Sequence, residues 1–267
     1  MNFQEMKVWL EKNRLSGMPT GYTALNSLVD SFPNGSLTVI GARPAMGRYS
    51  LALNLANRIA RLTNRAIAII STRYDQGNTV NRFLRLGAGV DMAKALQDPD
   101  TPVLEKLSKY LSAQKAGIHV MEDVWKDLDT IELFCERIPD LGLVIVDGIE
   151  TLNDQGEYTA EPISRQEAVL WLKKLAQQWN VPVICTVHLA PDLEEWENRR
   201  PNLEALELTG VSPETADTIL FFYRDSYYDY RSRDNLAELI VAKSCTGREG
   251  TAYLRWDCRT CTIGEFE

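Results

Sequence analysis

The ten residues 41–50, GARPAMGRYS, have the position and composition of a phosphate-binding loop. They follow the apolar run LTVI and precede LALNLANRIARL, whose apolar residues recur at helical spacing. In such a loop, backbone N–H groups at a helix N-terminus bind phosphate, a lysine reaches the β and γ phosphates, and a small hydroxyl binds the metal. The sequence therefore predicts a nucleotide-binding site. Its predicted binding residues are Arg43, Pro44, Ala45, Met46, Gly47, Arg48, Tyr49 and Ser50.

Two residues of this loop differ from what the chemistry calls for. Arg48 stands where the lysine is expected, and its guanidinium is wide and planar whereas an ammonium is a compact point charge. Tyr49 stands where serine or threonine is expected, and its hydroxyl lies too far from Cβ to replace a β-hydroxyl on magnesium. Ser50 is turned about 100° around the helix. We therefore expect magnesium to bind weakly here.

A second nucleotide-site feature is the run LVIVD, which ends at Asp147. A carboxylate at the end of an apolar strand can hold magnesium through water. Many parallel strands end in aspartate, so the run alone is weak evidence. Paired with a phosphate-type loop about 100 residues upstream, it makes Asp147 a candidate catalytic residue.

The elements that position these residues follow from the apolar runs. Because helix-period stretches lie between most of them, the runs predict an α/β fold with a mainly parallel sheet covered on both faces. The parallel runs are 37–42, 66–71, 117–121, 143–147 and 181–187. Four more, at 218–223, 237–243, 251–256 and 260–265, follow with short turns and predict antiparallel or mixed additions to the sheet.

Composition narrows the class of protein. The 267 residues carry a formal charge of -8, which argues against a generally basic surface that coats nucleic acid. Neither a membrane-spanning run nor a signal peptide is evident, so we expect a cytoplasmic protein without membrane contact. Five cysteines do not suggest a disulfide framework, and the pair Cys258 and Cys261 lacks a partner pair for zinc.

Seven segments of the chain resemble, in the same order, the C-terminal RecA-type motor domain of DnaB-family replicative helicases. They are PTGYTALNSL, GARPAMG, LVIVDGIETL, VPVICTVHL, RRP, ETADTILFFYRDSYY and IVAKSCTGREGTAYL. The resemblance covers about residues 15–267. It implies a RecA-like ATPase domain at 17–267, preceded by a linker-type helix at 1–16 that packs on its own domain or on a neighbouring subunit. It also implies ATP as ligand, a six-membered ring that moves on single-stranded DNA, and replication proteins as partners.

Several positions depart from the family pattern where the chemistry would be. The loop reads GRY instead of GKT, and the strand end expected as SLE reads Ser71, Thr72 and Arg73, so a cation replaces the general base. The family's glutamine corresponds to His188. By the resemblance, Asp147 and His188 are thus vestigial catalytic positions.

The intersubunit positions implied by the resemblance also differ. The arginine finger corresponds to Cys245, although Lys243 and Arg248 nearby could contact a neighbour, and an RESG-like element reads ELTG at 207–210. Because an arginine finger contributes about 10³ to 10⁵ in rate and a general base about 10² to 10⁴, these losses predict little hydrolysis. The leading interpretation is a hydrolysis-deficient motor domain that serves as a binding or regulatory component in replication or mobile-element DNA metabolism.

Two alternatives stay open from the sequence. The first is an active helicase motor in which Arg48 replaces lysine and Asp75 or Glu150 is the base. The second is a switch that binds ATP without cleaving it. The loops expected to face DNA, 153–166 and 192–202, are net acidic, which weakens the case for single-stranded DNA. We further expect Arg73 to form an ion pair with Asp147.

Overall fold

The long apolar runs of the chain form the strands of one large sheet. The computed structural model describes residues 2, 4–6, 17–90, 97, 101–122, 127–153, 162–190, 198–229, 235–246 and 248–266. Within these residues, nine strands pair in the order β11-β10-β9-β8-β3-β7-β6-β4-β5. The strands are β3 (Leu37–Ala42), β4 (Ala66–Ser71), β5 (Ile118–Val120), β6 (Leu141–Asp147), β7 (Val183–His188), β8 (Thr218–Tyr223), β9 (Leu236–Lys243), β10 (Gly250–Asp257) and β11 (Thr262–Glu265). A separate short pair joins β1 (Gly17–Met18) to β2 (Phe32–Pro33).

Helices cover both faces of the sheet. The helices are α1 (Thr23–Asn26), α2 (Arg48–Leu62), α3 (Gln76–Ala88), α4 (Thr101–Ser112), α5 (Leu128–Glu136), α6 (Arg165–Trp179) and α7 (Leu203–Glu207). One buried apolar cluster joins the sheet to α2, α3 and α4, and a second joins it to α5, α6 and α7. The central strands are therefore buried on both sides, as their continuous apolar runs predict.

Strand direction agrees with the sequence prediction. Strands β3 to β8 pair in parallel, and β9, β10 and β11 add antiparallel to the edge formed by β8. The predicted α/β fold with a mainly parallel sheet and β-rich C-terminal additions is confirmed. No helix among the described residues is long and apolar enough to cross a membrane. Most of the predicted linker-type helix at 1–16 lies outside the described residues, so it stays a prediction.

A buried asparagine attaches the C-terminal strands to the helix that follows the phosphate-type loop. Asn54 of α2 donates from Nδ2 to the carbonyl oxygens of Ser50 at 2.7 Å and Cys261 at 3.0 Å. Its Oδ1 accepts from the backbone N–H of Ile263 at 3.0 Å. Because Asn54 is only 3% exposed, water cannot replace these bonds. The side chain therefore holds the β10–β11 turn against α2.

We predict that Asn54→Ala lowers the free energy of unfolding by about 1–3 kcal/mol, because it leaves buried backbone groups without their partner. Urea denaturation followed by circular dichroism measures the change. Asn64→Ala is the matched control, since Asn64 is exposed and should change stability by less than about 0.5 kcal/mol. Equal effects of the two substitutions would contradict this role for Asn54.

Candidate functional site

The site lies where the carboxyl ends of four neighbouring parallel strands meet. β3 ends at the phosphate-type loop, β7 ends at His188, β6 ends at Asp147, and β4 leads into Arg73. Strand register aligns Ala42 with His188, and Asp147 with both Thr186 and Ser71. Crevices at this edge are where open α/β sheets bind ligands. The sheet therefore gathers residues that lie far apart in sequence.

The phosphate loop, residues 43–47, is held in a fixed shape. Ala45 and Gly47 have positive φ angles of 60° and 113°. A Cβ on Gly47 would lie 3.2 Å from the rings of Phe222 and Trp256, so glycine is required for close packing as well as for its φ. Arg224 donates to the carbonyl oxygens of Met46 at 2.8 Å and Ala45 at 3.2 Å. The loop is thus anchored from the β8 side.

A cavity of about 270 Å³ opens in front of the loop and the N-terminus of α2. It is rich in arginine and contains one carboxylate among its lining residues. These are Arg43, Pro44, Ala45, Gly47, Arg48, Tyr49, Ser50, Arg73, Tyr74, Arg82, Asp147, His188, Trp256 and Cys261. The predicted binding residues are thus brought together, except that Met46 is buried beneath the loop. A helix N-terminus with several guanidinium groups favours an anion.

Arg48 lines this cavity and also reaches the carboxyl groups at the sheet edge. Its Nη1 lies 2.9 Å from Glu150 Oε1, and its Nε lies 3.9 Å from Asp147 Oδ1. The side chain is buried, at 4% exposure. Burial acts to raise the pKa of Glu150, but the Arg48 guanidinium and the His188 backbone N–H outweigh it and hold that pKa below its usual range. Arg48 therefore pairs with the carboxylates of Glu150 and Asp147.

Asp147 is fully buried and already has partners. Thr186 donates from Oγ1 to its Oδ1 at 2.6 Å, and Ser71 donates to its Oδ2 at 3.4 Å. Burial raises the pKa of Asp147, and the nearby Arg48 charge opposes that rise. A magnesium ion needs oxygen ligands and bound waters in near-octahedral geometry at about 2.0–2.1 Å. The direction of Arg48 leaves Asp147 facing a guanidinium.

Tyr49 fills the space beside Asp147 with an aromatic ring. Its ring stacks on Tyr74 with centroids 5.1 Å apart, and its hydroxyl donates to Thr79 Oγ1 of α3 at 2.7 Å. Burial raises the pKa of Tyr49, and the nearby Asp147 charge raises it further. The hydroxyl is therefore tied to α3 and stays protonated. A side chain placed in this way cannot supply a hydroxyl ligand at the loop, so the residues present do not fit magnesium; weak magnesium binding stays a prediction.

Arg73 contacts His188, so the expected ion pair with Asp147 is wrong. Arg73 Nη1 lies 2.9 Å from His188 Nδ1 and 3.1 Å from Nε2. Burial and the positive Arg48 lower the pKa of His188 to about 4, against the opposing effect of Glu150. His188 is therefore neutral and accepts a hydrogen bond. The guanidinium that faces Asp147 is that of Arg48, from the first residue of α2.

The cluster places two guanidinium groups beside two carboxyl groups. Arg48 faces Asp147 and Glu150, and Arg73 contacts His188, which is neutral. The sequence indicated Glu150 only as an alternative base, and it gave no indication of Tyr74 or Arg82. The spacing of Glu150, three residues beyond Asp147 on a 3₁₀ turn, is the signal that could have indicated it.

The predicted intersubunit residues lie at the β9–β10 turn and do not join this cluster. Lys243 Nζ donates to the Pro213 carbonyl at 2.9 Å, and Arg248 Nη2 lies 2.9 Å from Asp30 Oδ2. Cys245 is exposed. Their contact with a neighbouring subunit stays a prediction.

Two further sequence expectations concern metal and DNA. No group of three or more His, Cys, Asp or Glu within the described ranges could hold a metal ion, so Cys258 and Cys261 gain no zinc partner there. Residues 154–161 and 191–197 of the loops expected to face DNA lie outside the described residues. Of the second loop, Arg200 is described, and it binds Glu238 and Asp225.

Sequence comparison places these features among known proteins. The family described as DnaB-like helicase C terminal domain matches residues 17–265. The Replicative DNA helicase DnaB of Geobacillus stearothermophilus is 29% identical over 252 residues, covering 90% of this chain and 54% of that protein. The Replicative DNA helicase DnaC of Bacillus subtilis is 28% identical over 257 residues, covering 91% and 55%. The chain spans about half the length of these curated relatives.

Structure comparison gives the same fold. A solved ATPase domain superposes with a TM-score of 0.82 at 23% identity, covering 99% of this chain and 98% of that one. The RadB recombinase superposes with a TM-score of 0.57 at 20% identity, covering 94% and 100%. The fold is therefore RecA-like, as expected from the sequence.

We predict that Arg48→Met destabilises the chain by about 3–5 kcal/mol, because it leaves two buried carboxylates without their cation. Adding Glu150→Gln should restore part of the loss, since one buried charge is then removed. Urea denaturation of the single and double variants measures both. The control is Arg248→Met, whose pair with Asp30 is half exposed and should contribute about 0–1 kcal/mol. A loss at Arg48 no greater than the control would contradict the buried ion pairs.

The neutral state of His188 predicts a pH dependence. The pKa of His188 is about 4 in the folded chain, whereas an unperturbed histidine, as in the unfolded chain, has a pKa of 6.5. Between these two pH values the unfolded chain therefore binds more protons than the folded chain. The free energy of unfolding should therefore fall as the pH drops from about 6.5 to about 4, and His188→Gln should flatten that fall. Denaturation at a series of pH values measures it, with His119→Gln on β5 as the control. Parallel profiles for His188→Gln and the unaltered chain would refute the prediction.

Proposed function

This chain belongs to the DnaB-like helicase C-terminal domain family, and we propose that it is a RecA-like motor domain that has lost ATP hydrolysis. In this proposal it acts as a binding or regulatory component in DNA replication or in the DNA metabolism of a mobile element. Curated relatives carry the name replicative DNA helicase, or probable plasmid replicative DNA helicase in Chlamydia psittaci. Those names support the pathway, while the site supports the loss of hydrolysis.

The observation that carries the proposal is the position of Arg48 between Asp147 and Glu150. In the motif that the loop resembles, a lysine at this position faces the phosphates and the strand-end aspartate holds magnesium through water. Here the cation at the aspartate is a guanidinium, supplied by the same residue that should face the phosphates. One substitution thereby removes two functions of a hydrolytic site.

Within the part of the chain that the structure describes, the three positions considered for a general base all have other contacts. Arg73 occupies the strand-end position of the base and contacts His188. Asp75 caps α3 and accepts from the backbone N–H of Asn78 at 2.7 Å and from its side chain at 2.8 Å. Glu150 is held by Arg48 and the His188 backbone. Because both recruited bases of the active-helicase alternative have structural partners, that alternative is the weaker one.

Binding of an anion without hydrolysis is a second candidate function, favoured by the arginines of the cavity. Arg43, Arg73 and Arg82 line it in addition to Arg48, and the N-terminus of α2 faces it. Arg82 lies over the Tyr74 ring at 4.2 Å, at the exposed side of the cavity. A nucleotide held through its phosphates by guanidinium groups would need no metal. The chain would then be a non-hydrolysing, ATP-binding switch.

Partners follow from the family as proposals. We propose a homo-oligomer, with a hexamer as the expected form, or a complex with a replication protein. A solved DnaB-like replicative helicase has been described together with its interactions with primase, which supports a primase-type partner. Single-stranded DNA is a weaker proposal, since Arg200 pairs with Glu238 and Asp225 within the chain. A cytoplasmic location is proposed on the same family grounds.

We predict that the unaltered chain releases phosphate from ATP far more slowly than about 1 s⁻¹, a low value for an enzyme. Replacing Arg48, Tyr49 and Arg73 together by Lys, Thr and Glu should create magnesium-dependent affinity for a non-hydrolysable ATP analogue. Hydrolysis should stay slow in this triple variant, because Cys245 supplies no arginine finger. Phosphate release and isothermal titration with and without magnesium measure the two effects.

The control adds Asp147→Asn to the triple variant and should remove the magnesium dependence. Rapid magnesium-dependent turnover by the unaltered chain, free of contaminating ATPase, would refute the proposed loss of hydrolysis. Tight binding of the analogue to the unaltered chain in EDTA would favour the switch. A lack of any binding would favour a component that works without nucleotide.

A further inference from the structure

The turn between β10 and β11 holds two cysteines that the proposed function does not use. Residues 258–261, CRTC, join Asp257 to Thr262, which face each other in the antiparallel ladder. Residues at the first and fourth positions of a β-turn have Cα atoms less than about 7 Å apart. Disulfides need a Cα separation of about 4.4–6.8 Å. Because Asp257 pairs with Thr262, the turn holds the Cα atoms of Cys258 and Cys261 close together, which is the first condition for a disulfide.

The same guanidinium lies near both thiols. Arg224 is held against the phosphate loop, and burial lowers its pKa while the nearby sulfurs of Cys261 and Cys258 act in the opposite direction. Cys261 packs against the core and lines the cavity, whereas Cys258 is exposed. The pair thus combines one thiol open to solvent with one that is sheltered beside it.

The turn is held in shape by bonds that do not involve sulfur. The Asp257 carboxylate accepts from the Arg259 backbone N–H at 2.9 Å and from Thr260 Oγ1 at 3.0 Å. Asn54 fixes the carbonyl of Cys261, as described above. Because the fold already holds both residues, little chain entropy remains to be lost when the sulfurs join. A preorganised pair should form a disulfide more readily than the same residues in an unfolded chain.

We propose that Cys258 and Cys261 are a dithiol modification site that forms a reversible intramolecular disulfide by exchange with a small disulfide such as oxidised glutathione. The exposed Cys258 thiolate attacks one sulfur of glutathione disulfide, and one glutathione leaves as its thiolate and takes up a proton. Cys261 then loses its proton, attacks the Cys258 sulfur of the mixed disulfide and releases the second glutathione. Two protein thiols are oxidised, and one glutathione disulfide is reduced to two thiols.

The experiment uses the full chain, equilibrated with a series of ratios of oxidised to reduced glutathione, quenched in acid and alkylated with N-ethylmaleimide. Trypsin cleaves after Arg255 and Arg259, so the peptide WDCR separates from the peptide that begins at Thr260 unless a disulfide joins them. Mass spectrometry of the linked pair gives the oxidised fraction. We expect the equilibrium constant for forming the Cys258–Cys261 disulfide from glutathione disulfide to be at least about tenfold larger in the folded chain than in urea, because the turn is preorganised.

Matched variants identify the partners. In Cys258→Ser and in Cys261→Ser, the remaining cysteine of the pair should stop at a mixed disulfide with glutathione. Cys245→Ser should not change the amount of the linked peptides. The proposal is overturned if Cys258 and Cys261 accumulate separate mixed disulfides, or if Cys245→Ser abolishes the link. It is also overturned if the equilibrium constant in the folded chain is no larger than in urea. The last comparison uses the unaltered chain, so it decides the matter even if a variant fails to fold.

Discussion

The ion pairs of the Arg48 guanidinium with Asp147 and Glu150 are the interaction on which the arrangement of the site depends. Asp147 is fully buried, and an isolated carboxylate in such a position is strongly disfavoured unless it gains a counter-charge or a proton. Arg48 is the first residue of α2, so its backbone position is set by the phosphate loop. A shift of the start of α2 would therefore also move the positive charge that faces Asp147.

Neighbouring residues adapt to this guanidinium. His188 stays neutral beside it, which allows Arg73 to bind the imidazole. Tyr49 is buried beside this cluster, where its ring stacks on Tyr74 and its hydroxyl donates to Thr79 of α3. A divalent ion at Asp147 would add two positive charges beside the Arg48 guanidinium and would lack the hydroxyl ligand. The substitutions at the loop and at the strand ends thus form a consistent set.

The C-terminal strands belong to this site as well as to the sheet. Arg224 at the end of β8 holds the phosphate loop, and Trp256 on β10 packs against Gly47. Asn54 ties the β10–β11 turn to α2, so that turn forms one wall of the arginine-lined cavity. An arginine-rich surface thereby lies next to a pair of cysteines. Arg224 is near both features, since it contacts the phosphate loop and lies close to Cys258 and Cys261.

Much of the architecture was predictable from local patterns. Runs such as 37–42, 66–71 and 218–223 matched the strands to the residue, because a strand buried on both faces is continuously apolar and is bounded by polar turns. The phosphate loop and the position of Asp147 at a strand end were likewise visible, since both depend on residue type at a boundary between elements. Resemblance to a family added the expected pairing of these motifs and the RecA-like fold.

The partners of the long charged side chains could not be predicted in this way. Arg48 and Arg73 both lie within reach of the sheet edge, and sequence reasoning assigned Asp147 to the wrong one of them. Which guanidinium meets the carboxylate depends on the position of α2 and on contacts between residues about 75 to 115 positions apart in sequence. The shared surroundings of Cys258 and Cys261 arise in the same way, because packing of β8 against the phosphate loop brings Arg224 to them. Local pattern determines where a strand or helix begins, whereas the pairing of buried charges is decided only when the elements pack.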